Sequence, residues 1–281
     1  MKFSQILLDG SPRALLETEG ETYLLAYGLD QHLQEGHCQA LIEGRIQAED
    51  LGKKYQPGPE TKHLAPLSRV NRVFCLGLNF TDHAQEVGAQ PPTYPTIFSK
   101  FPSALIGPED PIYLPAESRA VDWEVELCLV IGRRGRRISL EEADQHILGY
   151  SIMNDISMRD WQGRTSEWFQ GKNWDQSTPW GPRIVTANQL KLEQGLNMTC
   201  SVDGRVRQQG NSRNMIFSPQ QVVAYLSTLL TLEAGDLISL GTPAGVGLSL
   251  RPRQWLAAGQ QVLTSIEGIG SLTNTCQLEE A

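Results

Sequence analysis

The 281-residue sequence lacks several features that would place it quickly in a class of protein. Its five cysteines are odd in number, and none of them form a CxxC pair. It has no basic surplus, because its formal net charge is −8. No apolar run approaches the ~20 residues that a membrane-spanning helix needs, and residues 1–6 (MKFSQI) do not begin a signal peptide. We also find no internal repeat and no low-complexity segment.

Each absence excludes a class of protein. The scattered cysteines indicate free, buried thiols in a reducing compartment rather than a disulfide framework. The acidic charge argues against a nucleic-acid partner. Without a leader or a spanning segment, we expect a cytoplasmic protein with no membrane partner. The glycine-rich residues 241–247 (GTPAGVG) lack the lysine of a phosphate-binding loop and precede no helical pattern, so no nucleotide site is predicted.

The breaker cluster over residues 56–60 (QPGPE) predicts a linker, and hence a small domain over residues 1–68 and a larger one over 69–281. In the larger domain Ser139 predicts a helix that runs to about His146, because Glu142 follows the serine at capping-box spacing. Residues 218–230 predict an amphipathic helix with Pro219 in its first turn. Asp203-Gly204 predicts a hairpin turn.

Residues 121–132 (VDWEVELCLVIG) predict the central strand of the protein, because they are β-branched, aromatic and apolar. Alternate side chains of a strand share a face, so Glu124 and Glu126 project together with Cα atoms roughly 7 Å apart. Two buried carboxylates need a compensating cation or a shared proton. Oxygen ligands suit a hard cation such as Mg²⁺, Mn²⁺ or Ca²⁺. The alternative is an exposed strand edge that carries two solvated glutamates.

A third acid and a lysine extend this candidate site. Asp155 ends the predicted strand over residues 150–157, and Lys172 follows soon after, next to Gly171. Three carboxylates would be nearly balanced by a divalent ion and the lysine ammonium. This set is plausible for a small anionic 2-oxo acid that chelates the metal through its keto and carboxylate oxygens.

His83 and Glu86 form a candidate general base. They would be i,i+3 neighbours on a short helix that Thr81 or Asp82 caps. A glutamate that accepts from the histidine ring fixes its tautomer and raises its basicity. A plain surface pair is the alternative. The proline-rich residues 91–95 that follow suggest a movable lid.

The sequence around these residues resembles the fumarylacetoacetate hydrolase family. Six blocks match in order, over roughly residues 70–275: 77–83 (GLNFTDH), 122–127 (DWEVEL), 154–160 (NDISMRD), 171–175 (GKNWD), 241–247 (GTPAGVG) and 266–270 (IEGIG). One departure is Phe80, where many relatives have tyrosine, which removes a hydroxyl near the lid. Four tryptophans, Trp161, Trp168, Trp174 and Trp180, crowd the segment after Asp155, and we expect them to pack a dimer interface rather than narrow the pocket.

The resemblance implies an α+β, β-rich fold, with a mixed β-roll or sandwich core, a small N-terminal α/β domain and a homodimeric assembly. It implies that three acids ligate Mg²⁺ or Mn²⁺ and that three residues are catalytic. The metal ligands are Glu124, Glu126 and Asp155, and the catalytic residues are His83, Glu86 and Lys172. It places Gln162 and Thr242 near the substrate carboxylate, and Asn79 and Arg159 among the substrate-binding residues.

The resemblance implies a metal-dependent hydrolase that cleaves a C–C bond in a 2,4-dioxo acid. In the expected mechanism the metal stabilises the enolate of the pyruvate portion, and His83 with Glu86 activates the attacking water. The same enolate forms in an oxaloacetate-type decarboxylase, and isomerisation of an unsaturated 2-oxo diacid uses the same scaffold. A catalytically idle metal-binding relative is the remote alternative.

Overall fold

Strands make up most of the regular structure in the computed structural model, which describes residues 1–279. The strands are β1 Lys2–Leu8, β2 Ser11–Thr18, β3 Glu21–Leu25, β4 Gly52–Lys54, β5 His63–Leu64, β6 Val73–Gly77, β7 Thr96–Lys100, β8 Leu105–Ile106, β9 Ile112–Leu114, β10 Val121–Asp122, β11 Val125–Ile131, β12 Ile147–Asn154, β13 Ser157–Met158, β14 Thr178–Thr186, β15 Asn197–Val202, β16 Arg205–Asn211, β17 Leu237–Ser239, β18 Gln261–Ile266 and β19 Gly270–Leu278. The α-helices are α1 Leu29–Gln34, α2 His37–Ile42, α3 Ala48–Leu51, α4 Thr81–Glu86, α5 Arg159–Gln162, α6 Phe169–Lys172 and α7 Pro219–Leu229. Within the described residues, no helix is both long enough and apolar enough to cross a membrane.

The main sheet is mixed and carries its most buried strands at its centre. Its order is β4-β3-β2-β1-β14-β12-β11-β17-β6-β7, with β5 beside β1 and β8 beside β14. Every residue of β11 and β12 is buried, as expected for strands that are covered on both faces. A second sheet, β16-β15-β18-β19-β9, lies against these central strands, and side chains of both sheets form one core. The predicted β-rich α+β class is confirmed.

Residues 1–68 join the same sheet as the rest of the chain. Strand β1 pairs with β14, with Phe3 opposite Ile184. Phe3 and Leu16 also share a buried cluster with Cys128 and Trp180. The small N-terminal unit is thus continuous in hydrogen bonding and packing with the larger one, and its boundary at residue 68 stays a prediction. All five cysteines are free, as predicted, and all five are buried, including Cys75 and Cys128, for which the apolar strand-like sequence predicted burial.

The predicted central strand is interrupted where its first glutamate lies. Strand β10 pairs with β13 in a separate ribbon, whereas β11 belongs to the main sheet. At the break, the backbone N–H of Glu124 donates to Asn154 Oδ1 at 2.9 Å, and the N–H of Asp155 donates to the carbonyl of Glu124 at 2.9 Å. The kink therefore turns the Glu124 side chain towards the end of β12, where Asp155 follows.

The two helices predicted from capping signals have different outcomes. Helix α7 is confirmed, with a capping box between Ser218 and Gln221. The helix predicted from Ser139 is wrong, because only a 3₁₀ turn forms at Ala143–His146. The Ser139–Glu142 hydrogen bonds are present. Before this segment, the N–H groups of Arg137 and Ile138 donate to the carbonyl and the hydroxyl of Ser227, and β12 begins directly after the turn. The segment between these two fixed points is too short for an α-helix.

Candidate active site

Three buried carboxylates meet beside the central strands. Glu124 lies at the kink before β11, Glu126 lies in β11, and Asp155 follows the last residue of β12. Their exposed fractions are 5%, 2% and 0%. One carboxylate oxygen from each lies within 4.8 Å of the others. The antiparallel pairing of Val125 with Asn154 explains the meeting, because it sets the flanking acids side by side. The solvated strand edge is therefore wrong for these two glutamates.

Two predicted cations neutralise Glu124. Lys172 Nζ donates to Glu124 Oε2 at 2.6 Å and to Asp155 Oδ2 at 2.7 Å. Arg159 donates to Glu124 Oε1 at 2.6 Å and to Asp122 Oδ2 at 2.8 Å. Burial alone would raise the pKa of Glu124, but Arg159 and Lys172 outweigh it and hold that pKa well below its usual range. Burial opposes the charge of Lys172 too, yet Asp155 and Glu124 raise its pKa, so its ammonium stays charged.

A third cation, Lys100, was not predicted from the sequence. Its Nζ lies 2.7 Å from Asp155 Oδ1 and donates to the carbonyl of Ile156 at 3.1 Å. The side chain is fully buried. Lys100 ends an edge strand of the main sheet, so only the fold brings it to Asp155. No local motif signalled it, because a lysine at the end of an extended segment usually points to solvent.

Among residues 1–279, no cation is paired with Glu126. Its Oε2 accepts hydrogen bonds from Ser239 Oγ at 2.6 Å and from the N–H of Gly241 at 3.1 Å. Burial, and then the charges of Asp155 and Glu124, raise the pKa of Glu126 well above its usual value. The cluster is therefore short of positive charge at this carboxylate. A buried set of three carboxylates, of which Glu126 is not paired with a cation among the described residues, fits a hard divalent ion such as Mg²⁺ or Mn²⁺.

The His83–Glu86 pair forms on helix α4 as predicted from its spacing. His83 Nδ1 lies 2.9 Å from Glu86 Oε2, and the N–H of Gly245 donates to Glu86 Oε1 at 2.8 Å. The Nδ1–H of the histidine therefore donates to the Glu86 carboxylate, which leaves Nε2 as the basic nitrogen. The predicted side-chain cap is wrong, because Phe80 occupies the N-cap position without a side-chain hydrogen bond.

Several of these groups line one cavity of about 530 Å³, whereas Asp155, Glu86 and Lys100 are not among its lining residues. The predicted site residues on its wall are His83, Glu124, Glu126, Arg159, Gln162, Lys172 and Thr242. Gln162 Oε1 accepts from Arg159 at 2.9 Å, and Thr242 Oγ1 donates to the carbonyl of Val125 at 2.9 Å. A larger cavity of about 650 Å³ lies against α2, but no predicted site residue lines it. The smaller cavity is the one that combines a base, cations and clustered acids.

Other predicted residues lie elsewhere. Asn79 is not among the residues that line the cavity. Its side-chain amide is hydrogen-bonded to backbone groups: Nδ2 donates to the carbonyl of Leu240 at 2.8 Å, and Oδ1 accepts from the N–H of Phe217 at 2.8 Å. Phe80 is fully buried. Of the four tryptophans, Trp168 lines the cavity, whereas Trp161 packs edge to face on Trp174.

Comparison with known proteins places the chain in a family. The family model for the fumarylacetoacetate (FAA) hydrolase C-terminal region matches residues 72–277. The chain belongs to this family. It is 38% identical over 248 residues to the human protein named oxaloacetate tautomerase FAHD2A, mitochondrial. The aligned region covers 88% of this chain and 78% of the human protein.

Two solved structures share the whole fold. A putative HpcE protein from Mycobacterium smegmatis has a TM-score of 0.85 at 33% identity, and the match covers 100% of both chains. A 2-hydroxyhepta-2,4-diene-1,7-dioate isomerase from Mycobacterium marinum has a TM-score of 0.76 at 30% identity, again over 100% of both chains. The predicted homodimer, the cytoplasmic location and the roles of the individual site residues stay predictions.

The contrast between Glu126 and Glu124 gives opposite stability predictions for the metal-free protein. The raised pKa of Glu126 means that its ionisation opposes folding above the ordinary glutamate pKa of about 4.3. Glu126→Gln removes that cost and keeps an oxygen that accepts from Ser239. It therefore raises the melting temperature in EDTA at pH 7.5, by roughly 2–4 °C for each kcal/mol gained in the free energy of unfolding. Glu124→Gln removes the carboxylate that Lys172 and Arg159 share and leaves each cation with one acid partner, so it costs about 3–5 kcal/mol. Equal losses in both variants, measured by calorimetry, would contradict this assignment of charges.

Lys100 gives a second prediction, about metal dependence. Lys100→Met leaves Asp155 Oδ1 without its cation and destabilises the metal-free protein by about 3–5 kcal/mol. Added Mn²⁺ replaces the missing charge, so the rise in melting temperature on adding Mn²⁺ is larger in Lys100→Met than in wild type. The matched control is Lys2→Met, since Lys2 pairs with Glu17 at the surface, where such pairs contribute about 0–1 kcal/mol. An identical rise in both lysine variants would rule this role out.

Proposed function

We propose that the 530 Å³ cavity is the active site of a divalent-metal-dependent enzyme that converts a small 2-oxo acid to its enol or enolate. The observation that supports this most is the shared wall of the cavity: the base His83, the protonated Lys172 and two acids of the cluster, Glu124 and Glu126, line one space. Enolisation needs these parts, since a base must take a proton and a positive environment must stabilise the oxygen that becomes negative.

Glu124, Glu126 and Asp155 would hold the metal ion, and the ion when bound would supply a Lewis acid for the keto group of the substrate. Lys172 adds a fixed positive charge near the developing oxyanion. Because the pKa of Lys172 is raised, the lysine acts as a hydrogen-bond donor and not as a proton shuttle. Proton transfer is therefore the task of His83 Nε2, with Glu86 stabilising the imidazolium that forms.

Oxaloacetate keto–enol tautomerisation is the first candidate reaction, supported by the name of the human relative. His83 removes a proton from the carbon next to the keto group, and a proton is added to the keto oxygen. The C–H bond breaks, an O–H bond forms, and no atom is gained or lost overall. The reverse direction returns the proton to carbon. Arg159 and Gln162 are hydrogen-bonded to each other and line the cavity, where they are positioned to contact a carboxylate of the substrate.

Hydrolysis of an acylpyruvate is the second candidate, and the His83–Glu86 geometry favours it. Here His83 deprotonates a water whose oxygen attacks the distal carbonyl. The C–C bond then breaks, and the electron pair passes to the pyruvate portion as its enolate. Protonation of that enolate gives pyruvate, and the acyl part leaves as a carboxylic acid. Decarboxylation of oxaloacetate gives the same enolate by loss of CO₂ and needs no activated water, so a base variant distinguishes it from hydrolysis.

A small substrate panel tests the proposal. Decay of the enol absorbance of oxaloacetate reports tautomerisation, and pyruvate release from acetylpyruvate, fumarylpyruvate and oxaloacetate reports cleavage, each with Mn²⁺, with Mg²⁺ and with EDTA. We expect metal-dependent tautomerisation that falls roughly 10²–10⁴-fold in His83→Ala and Glu86→Gln. His63→Ala, on strand β5 outside the cavity, is the matched control.

The outcomes separate the candidates. Metal-dependent release of pyruvate from a diketone, with the same loss in His83→Ala, would make hydrolysis the main activity. Pyruvate release from oxaloacetate that survives His83→Ala would indicate decarboxylation. If both base variants kept activity within about threefold of wild type, the proposed role of the pair would be wrong. Turnover of none of the substrates, with or without metal, would contradict the proposed function as a whole.

A further inference from the structure

One wall of the cavity is an indole ring that lies directly on a bare backbone. A Cβ atom added to Gly77 would be 2.2 Å from Cζ3 of Trp168, closer than any side chain allows. Gly77 ends strand β6, and both residues line the cavity. The absence of a side chain at residue 77 is therefore what lets the indole occupy this end of the cavity.

The indole is held from two sides. Phe98, on strand β7, meets the Trp168 ring edge to face, with ring centroids 5.4 Å apart. Trp168 is also the residue before helix α6, which ends at Lys172. Lys172 Nζ in turn lies 5.1 Å from the Phe98 ring, so the aromatic wall stands beside the site lysine. The indole therefore sits next to the position where the proposed chemistry takes place.

Helix α6 is also fastened to strand β7 by Asn173. Its Nδ2 donates to the carbonyl of Ser99 at 3.1 Å, and its Oδ1 accepts from the N–H of Phe101 at 2.6 Å. These bonds join the segment that carries Trp168 to the strand that carries Phe98. A wall built in this way has a fixed position, so it can limit the size of a ligand rather than yield to it.

The wall carries no charge. The cavity-lining residues with cationic or ionisable nitrogen, among those the structure describes, are His83, Arg159 and Lys172. Arg159 and Lys172 are paired with Glu124, and the Trp168 ring lies against Phe98 and the bare backbone of Gly77. A ligand group that extends onto this wall meets the carbon surface of the indole and of Phe98.

We propose that Trp168, seated on Gly77, is a specificity-determining residue that limits the length of the substrate arm beyond the 2-oxo acid group. This inference rests on the proposed function, because it takes the 2-oxo acid end to lie at the acid cluster and Lys172. The enzyme is selective for short arms, and removal of the indole opens a channel over Gly77 that Phe98 lines. Trp168 positions nothing in the reaction itself, so its loss changes which substrates bind and not the chemistry.

A chain-length series measured by binding tests this limit. The probes are pyruvate, 2-oxobutyrate, 2-oxopentanoate, 2-oxohexanoate and 2-oxooctanoate, titrated calorimetrically into the Mn²⁺-loaded protein. A buried methylene is worth about fourfold in affinity. In wild type, affinity rises along the series until the arm meets the indole and falls for longer acids. In Trp168→Ala, the ratio of 2-oxooctanoate to pyruvate affinity rises by at least about tenfold, and in Trp168→Phe it rises by less.

A double-mutant cycle tests the contact itself. Gly77→Ala alone displaces the indole and weakens binding of the short acids by about tenfold or more, because the new methyl group and the ring cannot share the space. In the Trp168→Ala background the same change has an effect of less than about twofold. Trp255→Ala, a half-buried tryptophan outside the cavity lining, keeps the wild-type length profile and controls for general loss of a tryptophan.

The failures are distinguishable. An unchanged length profile in both Trp168 variants, with pyruvate still bound, overturns the size limit and leaves the proposed function standing. Equal effects of Gly77→Ala with and without the indole overturn the assigned contact. Absence of binding for all five acids in Mn²⁺-loaded wild type overturns the proposed function, and the size limit fails with it.

Discussion

The structure depends on the balance of charge among buried side chains. Four buried carboxylates, of Asp122, Glu124, Glu126 and Asp155, share the space with the cations of Lys100, Arg159 and Lys172. Removing one partner of such a pair leaves a buried charge uncompensated, which is far costlier than losing a surface pair. The chain segments that carry these groups must therefore all be in place together. The single unbalanced carboxylate, Glu126, is where this network still needs positive charge.

The glycine-rich loop explains how distant acids are aligned. Its N–H groups donate to Glu126 from Gly241, to Glu86 from Gly245, and to Asp122 from Gly247. Gly245 has φ of 104°, and a Cβ there would be 2.3 Å from the carbonyl oxygen of Arg207. Backbone donors can reach the three acids because no side chains intervene. This loop does not match a nucleotide-binding pattern. Its backbone instead orients the His83–Glu86 pair and the acid cluster.

Features that depend on a few neighbouring residues were predictable from the sequence, and those that depend on the fold were not. The capping box at Ser218 and the Asp203-Gly204 turn encode their elements locally. The β1–β2 hairpin was missed although Asp9-Gly10 supplies the same signal. Glu126 of β11 and Glu124 just before it were predictable because strand alternation puts them on one face, but Lys100 reaches Asp155 only through an edge strand remote in sequence. Ser139 shows the converse, a correct local signal overruled by tertiary contacts.

The proposed function allows one site to serve tautomerisation, decarboxylation or hydrolysis, because its charged groups would favour an enolate however that enolate arises. Lys172 stays protonated beside two carboxylates, so it stabilises negative charge without moving a proton. His83, whose Nδ1 is engaged by Glu86, is left with one basic nitrogen. The reaction is then decided by what that nitrogen meets: a substrate C–H gives tautomerisation, and a water molecule gives hydrolysis. We therefore expect the shape of the cavity, more than the identity of its charged residues, to decide which of the proposed reactions this protein catalyses.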